Sequence, residues 1–192
     1  MKNLTNIIKN NTKTDKVKFH YIHLDNQNDL IESVILRKLV INKDPTGSLV
    51  ETLRTDWQDV YNLENLNFAM QYMSITPSGI IRDEDKWHVH KFQRDRFICA
   101  SGKIITAIYD PRKNSKTKGL LNLFVMSPQN ENEMYMIVIP EETYHGFMVV
   151  SNEPGYLLNF PTKLYDPGDE GRIANQGELN WQEVRADFKI AK

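Results

Sequence analysis

Short stretches of alternating apolar and polar side chains, each closed by turn residues, run through most of the chain. Ser33–Ile41 is rich in β-branched residues and stops at Asn42-Lys43-Asp44-Pro45-Thr46-Gly47, a dense set of turn formers. Ser48–Leu53 alternates as a returning strand, and Phe68–Ile75 alternates up to the turn Thr76-Pro77-Ser78-Gly79. Further strand-like runs are Arg96–Ala100, Lys103–Tyr109, Leu121–Met126, Met134–Ile139, Gly146–Val150 and Tyr156–Phe160. Their spacing keeps roughly the 8–12-residue rhythm of a sandwich or barrel. Helical signals are confined to two short segments, Asp56–Leu66 and Trp181–Phe188. The pattern predicts an all-β jelly roll with N-terminal strands and short terminal helices. Lys9–Lys16 has no apolar periodicity, so residues 1–17 read as a flexible N-terminal arm and residues 18–192 as a single domain.

Composition narrows the partners rather than the fold. The 192 residues, 40 % hydrophobic and 26 % charged, suit a globular chain with a real core. Lys plus Arg number 24 against 25 Asp plus Glu, a net charge of −1, which gives no reason to expect nucleic acid or an anionic membrane. Cys99 is the only cysteine; it excludes an internal disulfide and suits a reducing cytoplasm. No apolar run reaches 18 residues and the start has no sustained apolar stretch, so neither a membrane span nor a signal peptide is expected.

The candidate chemistry centres on Trp87-His88-Val89-His90. On a strand, His88 and His90 share one face, because side chains repeat every two residues. Asp95 and Gly102 follow, and Pro140-Glu141-Glu142-Thr143-Tyr144-His145 opens another strand. His-x-His, an acid and a glycine are similar to the first cupin motif. Pro140–His145 resembles the second, with Glu142 where that motif prefers glycine. The resemblance implies a double-stranded β-helix and, in the metal-binding cupins, one divalent ion held by residues matching His88, His90, Asp95 and His145. That donor set suits Fe, Mn, Ni, Cu or Zn.

A second resemblance spans more of the chain. Asp44–Glu51 resembles the Asp-x-x-Gly-x-(apolar)-x-Glu segment of the dTDP-4-dehydrorhamnose 3,5-epimerases. Gln71 with Ser78-Gly79-Ile80-Ile81-Arg82 is similar to their strand ending in Gly-Val-Leu-Arg. Gln93–Tyr109 with Asp110-Pro111-Arg112 matches their central strand pair, and Ile139–Phe147 their Ile-Pro-x-x-x-x-His-Gly-Phe. Tyr165-Asp166-Pro167 and Glu170-Gly171-Arg172-Ile173 resemble their C-terminal segment.

Those epimerases are cupins that need no metal, move protons beside a C4 ketone, and pair as homodimers through N-terminal strands. Proton transfer of this kind needs a base, an opposed acid and a donor at the enolate oxygen. An ungapped placement puts Asp85 at the family's base position, and a local shift brings in His88. The family's acid falls near Leu158 or Asn159, with Tyr156 the nearest tyrosine and Tyr144 another, and the carboxylate that polarises the base falls near Asn175. The candidate set is therefore His88, His90, His145 and Tyr156 for catalysis, with Glu51, Gln71, Arg82 and Lys103 for substrate. Three functions follow: a cofactor-free epimerase of 4-keto-6-deoxy sugar nucleotides for surface polysaccharide, a metal-dependent isomerase or dioxygenase, and a non-catalytic sugar-binding cupin. Phe92, Phe97, Tyr109 and Phe147 are expected in the core, and Lys113–Lys118 is expected to form a solvated loop.

Overall fold

The structure is a computed structural model that describes residues 19–190. The expected arm, residues 1–17, lies outside the described residues. In chain order the strands are β1 (Tyr21–Ile22), β2 (Ile35–Lys38), β3 (Asn42–Asp44), β4 (Gly47–Leu49), β5 (Tyr72–Thr76), β6 (Ile81–Arg82) and β7 (Lys86–His90). They continue with β8 (Asp95–Ser101), β9 (Ile104–Tyr109), β10 (Leu121–Met126), β11 (Tyr135–Ile139), β12 (Tyr144–Val149), β13 (Gly155–Asn159) and β14 (Glu170–Ala174), before the helix α1 (Trp181–Asp187).

Two sheets face each other. One runs β1-β10-β9-β12-β7-β14, with β6 also paired to β12; the other runs β2-β11-β8-β13-β5; β3 and β4 form a separate hairpin. All pairings are antiparallel except β1 with β10. This is the jelly roll that the alternation predicts.

Between the sheets lies an apolar core that includes Phe97, Cys99, Ile104, Ile108, Phe147, Val149 and Leu157. The outer face of the first sheet is covered by α1 through Trp181 and Val184, packed with Trp87, Ile105 and Met148. The outer face of the second is covered by the segment holding Val60 and Leu66, packed on Ile98, Met136 and Val138. Strands covered on both faces need apolar side chains at every position. That is why β11, Tyr-Met-Ile-Val-Ile, is buried throughout.

The helix at the C-terminus forms as expected, capped by Asn180, whose side chain accepts from Gln182 N at 3.0 Å. No helix among the described residues is long and apolar enough to cross a membrane. Asp56–Leu66, in contrast, forms turns rather than the expected helix. The reason is Arg96, a fully buried residue whose guanidinium donates to Val60 O and Leu66 O at 2.8 Å, Asn67 O at 2.8 Å and Phe160 O at 2.5 Å. Val60 O, which a helix would satisfy internally, is pulled onto the same side chain as Leu66 O and Asn67 O, and this folds the segment around the guanidinium instead. Burial draws the Arg96 pKa down to about 10.

Of the aromatic residues expected in the core, Phe97 and Phe147 are buried there, whereas Phe92 is exposed. Phe92 sits in the turn between β7 and β8, beyond the reach of either sheet. Lys113, Lys116 and Lys118 are exposed, as expected of a solvated loop. The loop nevertheless has an anchor, because Ser115, Thr117 and Arg112 all donate to the buried carboxylate of Asp110.

Candidate active site

One end of the space between the sheets is polar. Strand parity puts His88 and His90 of β7, Asp95 of β8, His145 of β12, Asn159 of β13 and Tyr72 of β5 on inward faces, while Trp87, Arg96 and Leu158 turn outward into the covering layers. β12 pairs with β7 at His145 and His88, and β13 pairs with β5 at Asn159 and Tyr72. The cavity so formed is lined by Tyr72, Arg82, His88, Asp95, His145 and Arg172, with Phe97 and Leu157 among its apolar wall.

Hydrogen-bond chemistry assigns the protons. Arginine only donates, so the Arg172 Nη1 contact makes His88 Nδ1 an acceptor. His88 then carries its proton on Nε2, which lies 2.8 Å from His90 Nε2. The Gln93 amide nitrogen, oriented by donation to Asp95 Oδ1 at 2.8 Å, also faces His90 Nε2 at 3.0 Å. His90 Nε2 is therefore an acceptor, and the His90 proton sits on Nδ1, 3.5 Å from Asp169 Oδ2. Asp169 is itself held by the backbone N–H groups of Lys91 and Phe92 at 2.9 and 2.8 Å.

Electrostatics keeps both rings neutral. Burial, followed by the neighbouring imidazoles of His145 and His90, holds the His88 pKa well below the usual histidine range. Burial lowers His90 as well. Burial alone would raise Asp95, but the imidazoles of His145 and His90 beside it, with the Asn159 hydrogen bond, outweigh it and hold the carboxyl below its ordinary range. His145 is 3 % exposed, its Nε2 lies 3.2 Å from Asp95 Oδ2, and neither ring nitrogen has an aligned hydrogen-bond partner. Such a ring is available to whatever enters the cavity. Burial and the Asp95 charge push Tyr72 up to about 12, so its hydroxyl stays protonated at neutral pH.

The structure brings together His88, His90, Asp95, His145 and Arg82, and separates the rest of the candidate set. Tyr156 lies on β13 with the parity opposite to Leu157 and Asn159, opposed to Ile75, and does not line the cavity. Tyr144 lines a different, open cleft of about 550 Å³ beside Lys91 and Arg112, which no imidazole enters. Lys103 follows the Gly102 turn and pairs with Glu133 at 2.9 Å. His145 pairs with Ile108 on β9, whose first residue is Ile104, so Lys103 lies at the opposite end of that strand. Glu51 is exposed and pairs with Arg54 at 2.8 Å. Gln71 is exposed one position before Tyr72, so in an extended chain it faces the other way.

The Asp85 placement fails for a local reason. Asp83–Asp85 form a turn between β6 and β7, with Asp83 at φ 55° and Lys86 N bonded to Asp83 O at 2.9 Å. The extra residues are spent there, and His88 arrives on the strand. Asn175 binds Leu179 O and Gly177 N in its own turn rather than a histidine. Besides Asp95, the carboxylates beside the histidines are Asp169 and, 3.9 Å from His88 Nδ1, Glu170. Sequence reading missed Tyr72, Gln93 and Asp169. Parity along β5 points to Tyr72, whereas nothing local marks Asp169.

A metal would find donors here. One ligand atom each from His88, Asp95 and His145 lie within 4.8 Å of one another. His90 is not part of that group; its Nε2 is turned to His88 and Gln93.

Comparison with known proteins agrees with the fold. Over 146 residues the chain is 41 % identical to the probable low-salt glycan biosynthesis epimerase Agl13 of Haloferax volcanii, covering 74 % of this chain and 87 % of that one. It is 30 % identical over 159 residues to the spore coat polysaccharide biosynthesis protein SpsL of Bacillus subtilis, covering 79 % and 97 %. A solved dTDP sugar isomerase from Desulfovibrio desulfuricans shares the fold, with a TM-score of 0.69 at 21 % identity over 79 % of this chain and 92 % of the other. The sequence model described as dTDP-4-dehydrorhamnose 3,5-epimerase matches residues 28–187. With most of its length matched, and with a cupin-like jelly roll whose histidines meet at one end, the chain belongs to the dTDP-4-dehydrorhamnose 3,5-epimerase family.

Proposed function

We propose that the protein is a nucleotide-sugar epimerase that inverts a carbon beside the C4 ketone of a 4-keto-6-deoxy sugar, for the synthesis of a surface polysaccharide. The observation that carries this reading is a neutral histidine, His88, lining a cavity that also holds an unpartnered buried imidazole and a protonated tyrosine. His88 takes the proton from the carbon next to the ketone. His145, whose ring nitrogens make no aligned hydrogen bond, donates to the oxygen on which negative charge then develops. His90 and Asp169 orient His88 from behind. Arg82, at the rim, makes no ion pair or hydrogen bond with the described residues and is placed to meet a diphosphate.

Names among the relatives support the polysaccharide context: Agl13 is a probable glycan biosynthesis epimerase and SpsL a spore coat polysaccharide biosynthesis protein. Epimerases of this type work without a cofactor. A cytoplasmic location fits a chain with one buried, unpaired cysteine. A homodimer fits the exposed β3–β4 hairpin and the edge of β5, which pairs with no further strand among the described residues and where Met73 and Ile75 face solvent.

The test is incubation with a dTDP-4-keto-6-deoxyhexose in deuterated water. Solvent deuterium is expected at C3 or C5 of the sugar, and its absence from every 4-keto nucleotide sugar tried would sink the reading. A second reading is favoured by the orphaned His145 nitrogens: His88, Asp95 and His145 would hold one divalent ion acting as Lewis acid. Metal analysis of protein purified without chelator separates the two, since about one equivalent of transition metal, lost on His145→Ala, is expected only of the second.

A further inference from the structure

Tyr72 is held in a way that leaves one hydrogen bond unmade. The Asn159 side chain is fixed at its oxygen, which accepts from the backbone N–H of Arg96 at 3.0 Å. Its amide nitrogen therefore carries two protons, and both are spent: one on Asp95 Oδ1 at 2.8 Å and one on the Tyr72 hydroxyl oxygen at 2.8 Å. The Tyr72 oxygen is thus an acceptor in this contact, and its own proton has no protein acceptor among the described residues. The strand places the ring on the cavity wall, with His88 lining the same cavity from the facing sheet. The tyrosine stays protonated across the physiological range, as burial and the Asp95 carboxylate require.

We infer that Tyr72 is the proton donor of the reaction and Asn159 the residue that positions it. The inference rests on the epimerase reading above. A C–H bond beside the ketone breaks. Its proton goes to His88 Nδ1, the one unprotonated ring nitrogen, which gives up its hydrogen bond from Arg172 as it takes the proton. The electron pair of the broken bond moves through the carbon framework onto the C4 oxygen. The Tyr72 O–H bond then breaks as a new C–H bond forms on the opposite face of the same carbon, and the ketone is restored. The tyrosinate regains a proton from solvent and the imidazolium loses one to it, so no electrons are gained or lost overall. A donor on β5, facing a base on β7 across the gap between the sheets, is the arrangement inversion needs, since a single group on one face can only return the proton where it was taken.

The experiment compares wild type, Tyr72→Phe and His88→Asn on a dTDP-4-keto-6-deoxyhexose in deuterated water. Exchange of the carbon-bound proton with retained configuration and formation of the inverted sugar are followed separately by NMR. Tyr72→Phe is expected to keep exchange within about threefold of wild type while inversion falls by about 10² or more. His88→Asn is expected to lose both. Unchanged affinity of Tyr72→Phe for dTDP checks that the site is intact. Wild-type inversion by Tyr72→Phe, or loss of exchange together with inversion, would overturn the donor role alone. Failure of the wild type to exchange any proton would overturn the epimerase reading, and the donor role with it.

Discussion

The proposed base, His88, can take a proton only while it is neutral, and its neighbours secure that state. Burial and two adjacent imidazoles lower its pKa, while Arg172, which can only donate, keeps Nδ1 as an acceptor. His88→Asn is expected to slow solvent exchange into the sugar by about 10²–10⁴, measured by NMR at saturating substrate. Arg82 has a separable role. Its guanidinium is exposed and has no partner among the described residues, so Arg82→Ala should raise KM about tenfold, equivalent to about 1.4 kcal/mol, and leave kcat nearly unchanged. Steady-state kinetics distinguishes this from a structural defect, which would lower kcat as well. The pairing of His88 with His90 was legible because a period of two puts such residues on one face. The tyrosine of the cavity was not: Tyr156 and Tyr72 are equally visible in the sequence, and only parity relative to a packed sheet says which one faces in.

At the scale of elements, two residues show how local rules yield to tertiary demands. Arg96 holds four backbone carbonyls of the segments flanking β5 and β13 at 2.5–2.8 Å. Arg96→Met should therefore cost more than about 3 kcal/mol, as several buried acceptors lose their donor; urea unfolding monitored by tryptophan fluorescence would show it. Glu142 occupies the opposite case. It sits at φ 60°, in the left-handed region, with its N–H bonded to His90 O at 2.7 Å. That explains why the cupin-like pattern Pro140–His145 prefers glycine there. Glu142→Gly is expected to stabilise the protein by up to about 1 kcal/mol, read as a raised Tm. Over Asp56–Leu66 turns replace the expected helix, with Val60 O and Leu66 O engaged by a strand residue distant in sequence.

For the molecule as a whole, the histidine end of the barrel makes folding sensitive to acid. His88 and His90 have folded pKa values below the ordinary value of about 6.5. Below that pH the unfolded chain binds protons that the folded one refuses. Stability from this source is complete above about pH 6.5 and declines as pH falls toward the lowered folded values. Asp95, also lowered, adds a further loss below about pH 4, where the unfolded carboxyl protonates first. Tm measured between pH 7 and 5 should fall, and should fall less steeply in a His88→Asn, His90→Asn variant. A slope unchanged by the double substitution would show that these rings do not set it.

Much of this was determined by the sequence alone. Period-two alternation, turn clusters and the scarcity of helical patterning yield an all-β jelly roll, because strand periodicity is a local property of the backbone. The same periodicity places His88 beside His90, and Pro140–His145 marks the strand that brings the third imidazole. The tertiary structure decided which side chains from separate strands meet. Tyr72 reaches Asn159 because β5 and β13 pair at those two residues, and His145 reaches His88 because β12 and β7 pair there. Asp169 stands behind His90 because a loop returns to the end of β7. Register between strands depends on the packing of the entire sandwich, and a one-residue difference in register turns a side chain from the cavity to the opposite face. Hence the chain declares its fold and its histidines, while the full set of cavity side chains comes together only once the two sheets have closed.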